Sequence, residues 1–162
     1  MPCPCAKTTN AGGAPAGVAV LARAHFGLGT AVGVSIDATF ATRIAVAWFP
    51  GIVRGGVFVV CVYLWTSQTP ASSANRALIE CLAEVIDALA GPWIVAADWQ
   101  CEPEILEQAG VAKMLRGVVV APQLPTCGTK VLDYFIACMG WGLCVVAARV
   151  VGILCTARPL GG

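Results

Sequence analysis

Charge is scarce in this sequence. Only 12% of its residues are Asp, Glu, Lys or Arg, about half the usual share of about 25%. Ten basic residues against nine acidic ones leave a net charge of +1, so the electrostatic footprint that drives sequence-independent nucleic-acid affinity is missing. Any nucleic-acid role would rest on local geometry. Closely spaced cysteine pairs are missing too. Cys3, Cys5, Cys61, Cys81, Cys101, Cys127, Cys138, Cys144 and Cys155 contain no C-x-x-C pair and are odd in number, which argues against a zinc or disulfide framework. Several sit in apolar runs, as buried thiols do. The opening "MPCPCAKTTNAGGAPAG" has no basic stretch followed by an apolar one, so it is not a secretory signal. The cell interior is the default compartment, residues 1–16 read as a disordered leader, and 17–162 read as the folded part.

Apolar residues are what the sequence has in excess: 58% of 162 residues, with a mean hydropathy of +0.80. The length suits one domain. "GVAVLAR" (Gly17 to Arg23), "TRIAVAWF" (Thr42 to Phe49) and "GVFVVCVYLW" (Gly56 to Trp65) are rich in β-branched and aromatic residues and read as strands. "PGIVRGG" makes a turn between the last two, and this spacing suggests an antiparallel sheet. After "TSQTPASS", Leu78, Ile79, Leu82, Val85, Ile86 and Leu89 recur at helical spacing. The spacing predicts a helix with one buried face, Ser73 capping its start and Gly91-Pro92 ending it. "WIVAA" is then a core strand, and Pro103 opens a short helix through Ala109.

In the last third, "RGVVVA" and "KVLDYFIAC" read as strands joined by "PQLPTCGT", with "GLCVVAARVVGIL" as another. Tyr134 to Cys155 is also long enough to cross a membrane. Arg149 would cost roughly 2.5–3.5 kcal/mol at mid-membrane, and Gly140, Gly142 and Gly152 interrupt the run as turns would, so strands are the preferred reading. The expected fold is a layered α/β sandwich with mainly antiparallel strands.

The stretch "WIVAADWQCEPE" (Trp93 to Glu104) ends a core strand on a carboxylate. A rigid strand tip is where α/β proteins often place chemistry, although Asp98 could equally cap the helix that follows. The order of "GVAVLAR", a strand ending in "VYLW", a long helix, "PWIVAADWQCEPE" and "PTCGTKVLDYF" resembles the endonuclease/exonuclease/phosphatase superfamily, which includes the apurinic-type endonuclease domains of retroelements. The resemblance runs from about Gly17 to the C-terminus. It implies a metal-dependent phosphodiesterase with Mg²⁺ as cofactor and a nucleic acid or another phosphoester as substrate. The family segment matched by "AADWQ" normally reads Gly-Asp-Phe/Trp-Asn. The resemblance therefore gives Asp98 the role of orienting or activating water and Gln100 that of contacting the scissile phosphate, with Ala97 in place of glycine. Tyr63 falls where the family has a phosphate-bonding tyrosine, and Asp133 where it has an aspartate that orients a histidine. As a plain reading, Tyr63 is equally a strand aromatic of the core.

The departures bear on activity. The early-strand glutamate that binds metal in active members has only a Gly/Ala/Pro leader at its place, and "TARPLGG" puts Ala157 or Arg158 where a histidine is expected. The one histidine, His25, reads as an ordinary loop or surface residue. The leading expectation is therefore a truncated or degenerate member, incomplete relative to the family fold and with weak or no hydrolytic activity. An active Mg²⁺-dependent nuclease or phosphatase is the alternative, its site rebuilt with Glu102 and Glu104, which otherwise serve as first-turn helix charges. A third class is a non-catalytic binding or membrane-associated assembly subunit with a protein partner at an exposed apolar surface.

Overall fold

The computed structural model describes residues 17–142. The expected leader, the strand expected over 142–154 and the "TARPLGG" tail lie outside the described residues. Within them a five-stranded sheet has the order β1-β2-β3-β5-β4. β1 is Ile44–Phe49, β2 Val57–Tyr63, β3 Trp93–Asp98, β4 Gly117–Val120 and β5 Asp133–Cys138. Helices α1 (Ser73–Asp87), α2 (Pro103–Gln108), α3 (Val111–Met114) and α4 (Met139–Gly142) complete the order, with a short 3-10 turn at Ala24–Phe26. The fold is mixed α/β and mainly antiparallel: only β2 and β3 run parallel, because α1 carries the chain back across the sheet between them.

Alternation along each strand divides the sheet into two unlike faces. On one, Ile44, Val60, Val62, Trp93, Val95, Tyr134 and Ile136 share a core with Leu78, Ile79, Leu82 and Ile86 of α1 and with Leu106, Val111 and Leu115. Each fully buried aliphatic side chain there contributes about 1.5–3 kcal/mol. On the other face Ala47, Phe49 and Val57 form a smaller cluster, packed by Val20, Val53, Val59 and Ile94. Towards β4 this second face opens: Val118 is 36% and Phe135 38% exposed.

The β1–β2 hairpin turns through Pro50–Gly56 as expected. Gly56 is required there, since its φ is +75° and a Cβ would sit 2.1 Å from the Trp48 ring. That ring packs against Phe58 at 4.4 Å between centroids.

Three expectations are corrected. Gly17–Arg23 forms no strand: the segment donates one backbone bond, from Val18 N to Thr42 O at 3.1 Å, and Leu21 is 93% exposed. Local β-propensity does not make a strand without a continuous partner; further along the chain, Gly29 forms an isolated bridge with Trp48 at the β1 edge. The cap of α1 is Ser72, not Ser73; its Oγ accepts from Asn75 N. The helix also ends earlier, at Asp87 with Ala88 as C-cap, and Leu89 N bonds back to Ile86 O as the last turn tightens. Tyr134–Cys138 lies in β5, so the run to Cys155 is not one continuous helix. No helix among the described residues is long and apolar enough to cross a membrane.

Asn75 is the one polar residue in the buried core of the described residues, and it ties α1 to the segment after β2. Its Oδ1 accepts from Trp65 N at 2.7 Å, and its Nδ2 lies within bonding distance of the carbonyls of Trp65, Gln68 and Thr69. Unmade buried hydrogen bonds cost about 1–3 kcal/mol each. Asn75→Ala is therefore expected to destabilise the domain by roughly 2–3 kcal/mol, read from urea unfolding midpoints; a change within error of zero would show that the loop is held by other contacts.

Candidate functional site

The strand registers bring the sequence-predicted residues to one end of the sheet. Tyr63 is the cross-strand partner of Asp98, and Asp98 is the partner of Asp133. Cross-strand partners project to the same face, so a phenol and two carboxylates stand in one row across β2, β3 and β5. The row extends one strand further: Tyr63 N donates to Arg43 O at 3.1 Å, which sets Arg43 opposite Tyr63, one residue before β1. Sequence reading missed Arg43. Its signal was the hairpin itself, because counting outward from the turn pairs position 43 with position 63.

Backbone bonds hold the centre of this row from both sides. Leu64 N donates to Asp98 O at 3.3 Å, and Trp99 N donates to Leu132 O at 2.9 Å. Trp99 is fully buried, and its indole N–H donates to Tyr134 O at 3.1 Å, pinning the chain just past Asp98. The start of β5 is tied by Thr126, whose Oγ1 accepts from Leu132 N and Asp133 N at 2.9 and 3.0 Å. This explains the threonine in "PTCGT": it orders the strand entrance that carries Asp133.

Asp98 does not cap α2. The N-cap there is Glu102, which makes no side-chain cap bond. Asp98 instead closes its own turn: Oδ1 accepts from Gln100 N at 3.1 Å, and Oδ2 accepts from the Gln100 side-chain amide. Such an Asx-type turn reverses the chain directly after the strand. It also forces Gln100 to a φ of 55°, a left-handed conformation that Asn or Gly adopts more readily. Gln100 thus lies beside Asp98, its amide committed to the carboxylate.

Burial raises the Asp98 pKa above the ordinary carboxylate value, and the charge of Asp133 raises it further; the two bonds from Gln100 oppose this. Two carboxylates facing one another in partly desolvated surroundings favour a shared proton or a cation. Cys101, buried two residues beyond Trp99, has its thiol pKa raised chiefly by desolvation. Its sulfur lies 3.8 Å from the Tyr134 hydroxyl.

The remaining candidates do not join the row. His25 is exposed in the 3-10 turn, its ring tilted against that of Phe26. Glu104 lies in the first turn of α2. Among the described residues no group of three or more His, Cys, Asp or Glu side chains is gathered as a metal site, so Glu102 and Glu104 do not rebuild one around Asp98. Cys61, Cys81, Cys101, Cys127 and Cys138 are free thiols.

No protein-family model matches the chain, and no curated protein sequence matches it. Among solved structures it is similar to cytolethal distending toxin from Actinobacillus actinomycetemcomitans, at 19% identity and a TM-score of 0.41 over 57% of this chain and 37% of that one. The Haemophilus ducreyi cytolethal distending toxin gives 21% identity and a TM-score of 0.42 over 57% and 36%. Sphingomyelinase C from Streptomyces griseocarneus gives 17% identity and a TM-score of 0.40 over 74% and 48%. The chain thus spans less than half the length of each of these.

The carboxylate pair makes a measurable prediction. A folded-state pKa above the unfolded one means that Asp98 contributes most favourably below its unfolded value and that this contribution is lost as pH rises through the folded value. Asp98→Asn should therefore gain on the wild type in thermal midpoint at neutral pH relative to a pH of about 3. Asp133→Asn should lower the Asp98 titration midpoint, followed by carboxyl-carbon NMR. An Asp98 midpoint unmoved by Asp133→Asn would show that the two charges do not interact.

Proposed function

We propose that the chain is a phosphoester-binding domain of the metal-dependent phosphodiesterase type, with weak or no turnover, and that the row Tyr63–Asp98–Asp133 is its site. The observation that carries this reading is the direct cross-strand pairing of Asp98 with Asp133 beside Tyr63 at the sheet end. Two carboxylates, a phenol and an amide are hard oxygen donors of the kind Mg²⁺ takes, and Mg²⁺ is typically held by one or two carboxylates with water and substrate phosphate completing its shell. Asp98 and Asp133 would hold such an ion, which when bound supplies neutralisation of phosphate charge.

The chain's own residues account for the rest. Asp98, with its charged form disfavoured by burial, is a stronger base once ionised and is placed to orient water. Gln100, bonded to Asp98 through both its backbone and its side chain, positions that carboxylate. No histidine stands in the row to take a proton, since His25 is the only one in the sequence. Loss of a general base alone removes about 10²–10⁴-fold in rate, which favours a binding site with little catalysis over an active nuclease or phosphatase.

The test is a Mg²⁺ and Mn²⁺ titration on abasic and plasmid DNA, with wild type beside Asp98→Ala. Equal background rates in both proteins are expected. Robust metal-dependent turnover abolished by Asp98→Ala would overturn the weak-activity reading in favour of an active hydrolase.

A further inference from the structure

Arg43 stands apart from the other arginines of the described residues. Arg76 pairs with Glu80 and Arg116 with Asp87, while Arg23 and Arg54 are exposed to water. Arg43 is half-buried, and among the described residues no carboxylate lies within ion-pair distance of it. Its guanidinium carbon lies 3.2 Å from the centroid of the Trp65 ring and 5.3 Å from that of Tyr63. Stacking of this kind fixes the guanidinium plane and removes water from a face of it.

The side-chain hydrogen bonds of Arg43 all leave from one nitrogen. Nη1 donates to Tyr63 O at 3.1 Å and to Leu64 O at 3.3 Å. Nε and Nη2 have no acceptor among the described residues, and these form the edge with which arginine grips carboxylates and phosphates in bidentate fashion. Next to it the indole N–H of Trp65 is buried without an acceptor. Among the described residues, positive charge at this flank therefore comes from Arg43 without a facing carboxylate, while Asp98 and Asp133 place negative charge at the other end of the same row.

We infer that Arg43, braced by Trp65, is the anion-binding residue of this sheet end and takes a phosphate or phosphodiester group over Tyr63. The inference rests on the phosphoester reading for the identity of the anion, but it does not require turnover. Adjacent strands lie about 4.8 Å apart, so a phosphate gripped by Arg43 over Tyr63 is one strand from Asp98, near enough for its ester bond to reach the carboxylate and far enough to limit repulsion. Arg43 also gives a nearly neutral protein a local means of holding a polyanion.

The experiment is equilibrium binding of a thymidine dinucleotide phosphorothioate and of inorganic phosphate, by calorimetry in EDTA so that no metal contributes. It uses wild type, Arg43→Met, Arg43→Lys and Arg54→Met, each confirmed folded by circular dichroism. Wild type is expected to bind the dinucleotide. Arg43→Met should lose roughly ten- to a hundredfold in affinity, the scale of a charge-assisted bidentate contact. Arg43→Lys should retain part of the affinity, because it keeps the charge and loses the fork, and Arg54→Met, an exposed arginine of the β1–β2 turn, should bind like wild type. A folded Arg43→Met that binds like wild type, or a wild type that binds neither probe, overturns the inference. These results are distinct from the hydrolysis assay: metal-dependent turnover with Arg43→Met affinity unchanged would sink the role of Arg43 and leave a hydrolase, whereas Arg43-dependent binding without turnover supports it.

Discussion

The pairing of β3 with unlike neighbours governs this structure. β3 runs parallel to β2 on one side and antiparallel to β5 on the other, so the C-terminal tips of β2 and β3 and the entrance of β5 share one edge. A slip of one residue in either ladder would turn the side chains to the opposite face. It would bury Asp98 against α1 or separate it from Asp133. The register is fixed by what lies just past the tip. Trp99, with no exposure, is locked to Tyr134 O through its indole N–H and to Leu132 O through its backbone. Removing a Trp of this kind typically costs about 3–5 kcal/mol, and here the loss would also release the strand end that carries the carboxylate.

The two sheet faces divide the work. The face packed by α1, Leu106, Val111 and Leu115 supplies most of the apolar burial and hence most of the stability. Among the described residues, the face bearing the Arg43–Tyr63–Asp98–Asp133 row carries only the smaller cluster around Ala47, Phe49 and Val57. Partial exposure lets charged groups sit at the sheet end without the full cost of a buried ion, while enough burial remains to raise the Asp98 pKa. Asn75 links the faces: from the core side it holds the backbone of Trp65, whose ring braces Arg43 on the row. The helix thereby positions a group it does not touch.

Much of this architecture was legible in the sequence where the signal is local. The stripe of Leu78, Ile79, Leu82, Val85 and Ile86 specified α1 because helical spacing is written in consecutive residues. "TRIAVAWF", "GVFVVCVYLW" and "WIVAA" announced their strands, and the carboxylate at the end of the last marked the sheet end. What was not legible depended on distant partners. Gly17–Arg23 has strand composition but among the described residues makes one backbone bond, from Val18 N to Thr42 O. Ser72 and Ser73 are interchangeable as local caps, and the choice falls to Ser72, which leaves Asn75 facing the loop it must satisfy. The four residues of α3 are too few to show a period. Arg43 carries no motif, and its membership in the row follows only from the hairpin register.

The turn after β3 places its strain at Gln100. An asparagine, with its short side chain, tolerates the left-handed backbone of such a turn more readily. Glutamine is held at a φ of 55°, and its longer arm folds back so that its amide meets Asp98. An amide committed in this way to the carboxylate stabilises the ionised form of Asp98, and it does so at the expense of any contact the same N–H would make with a phosphate. At the tip of β3 these bonds oppose the burial that raises the Asp98 pKa without cancelling it. The uncommitted donors of the row lie two strands away, on Nε and Nη2 of Arg43.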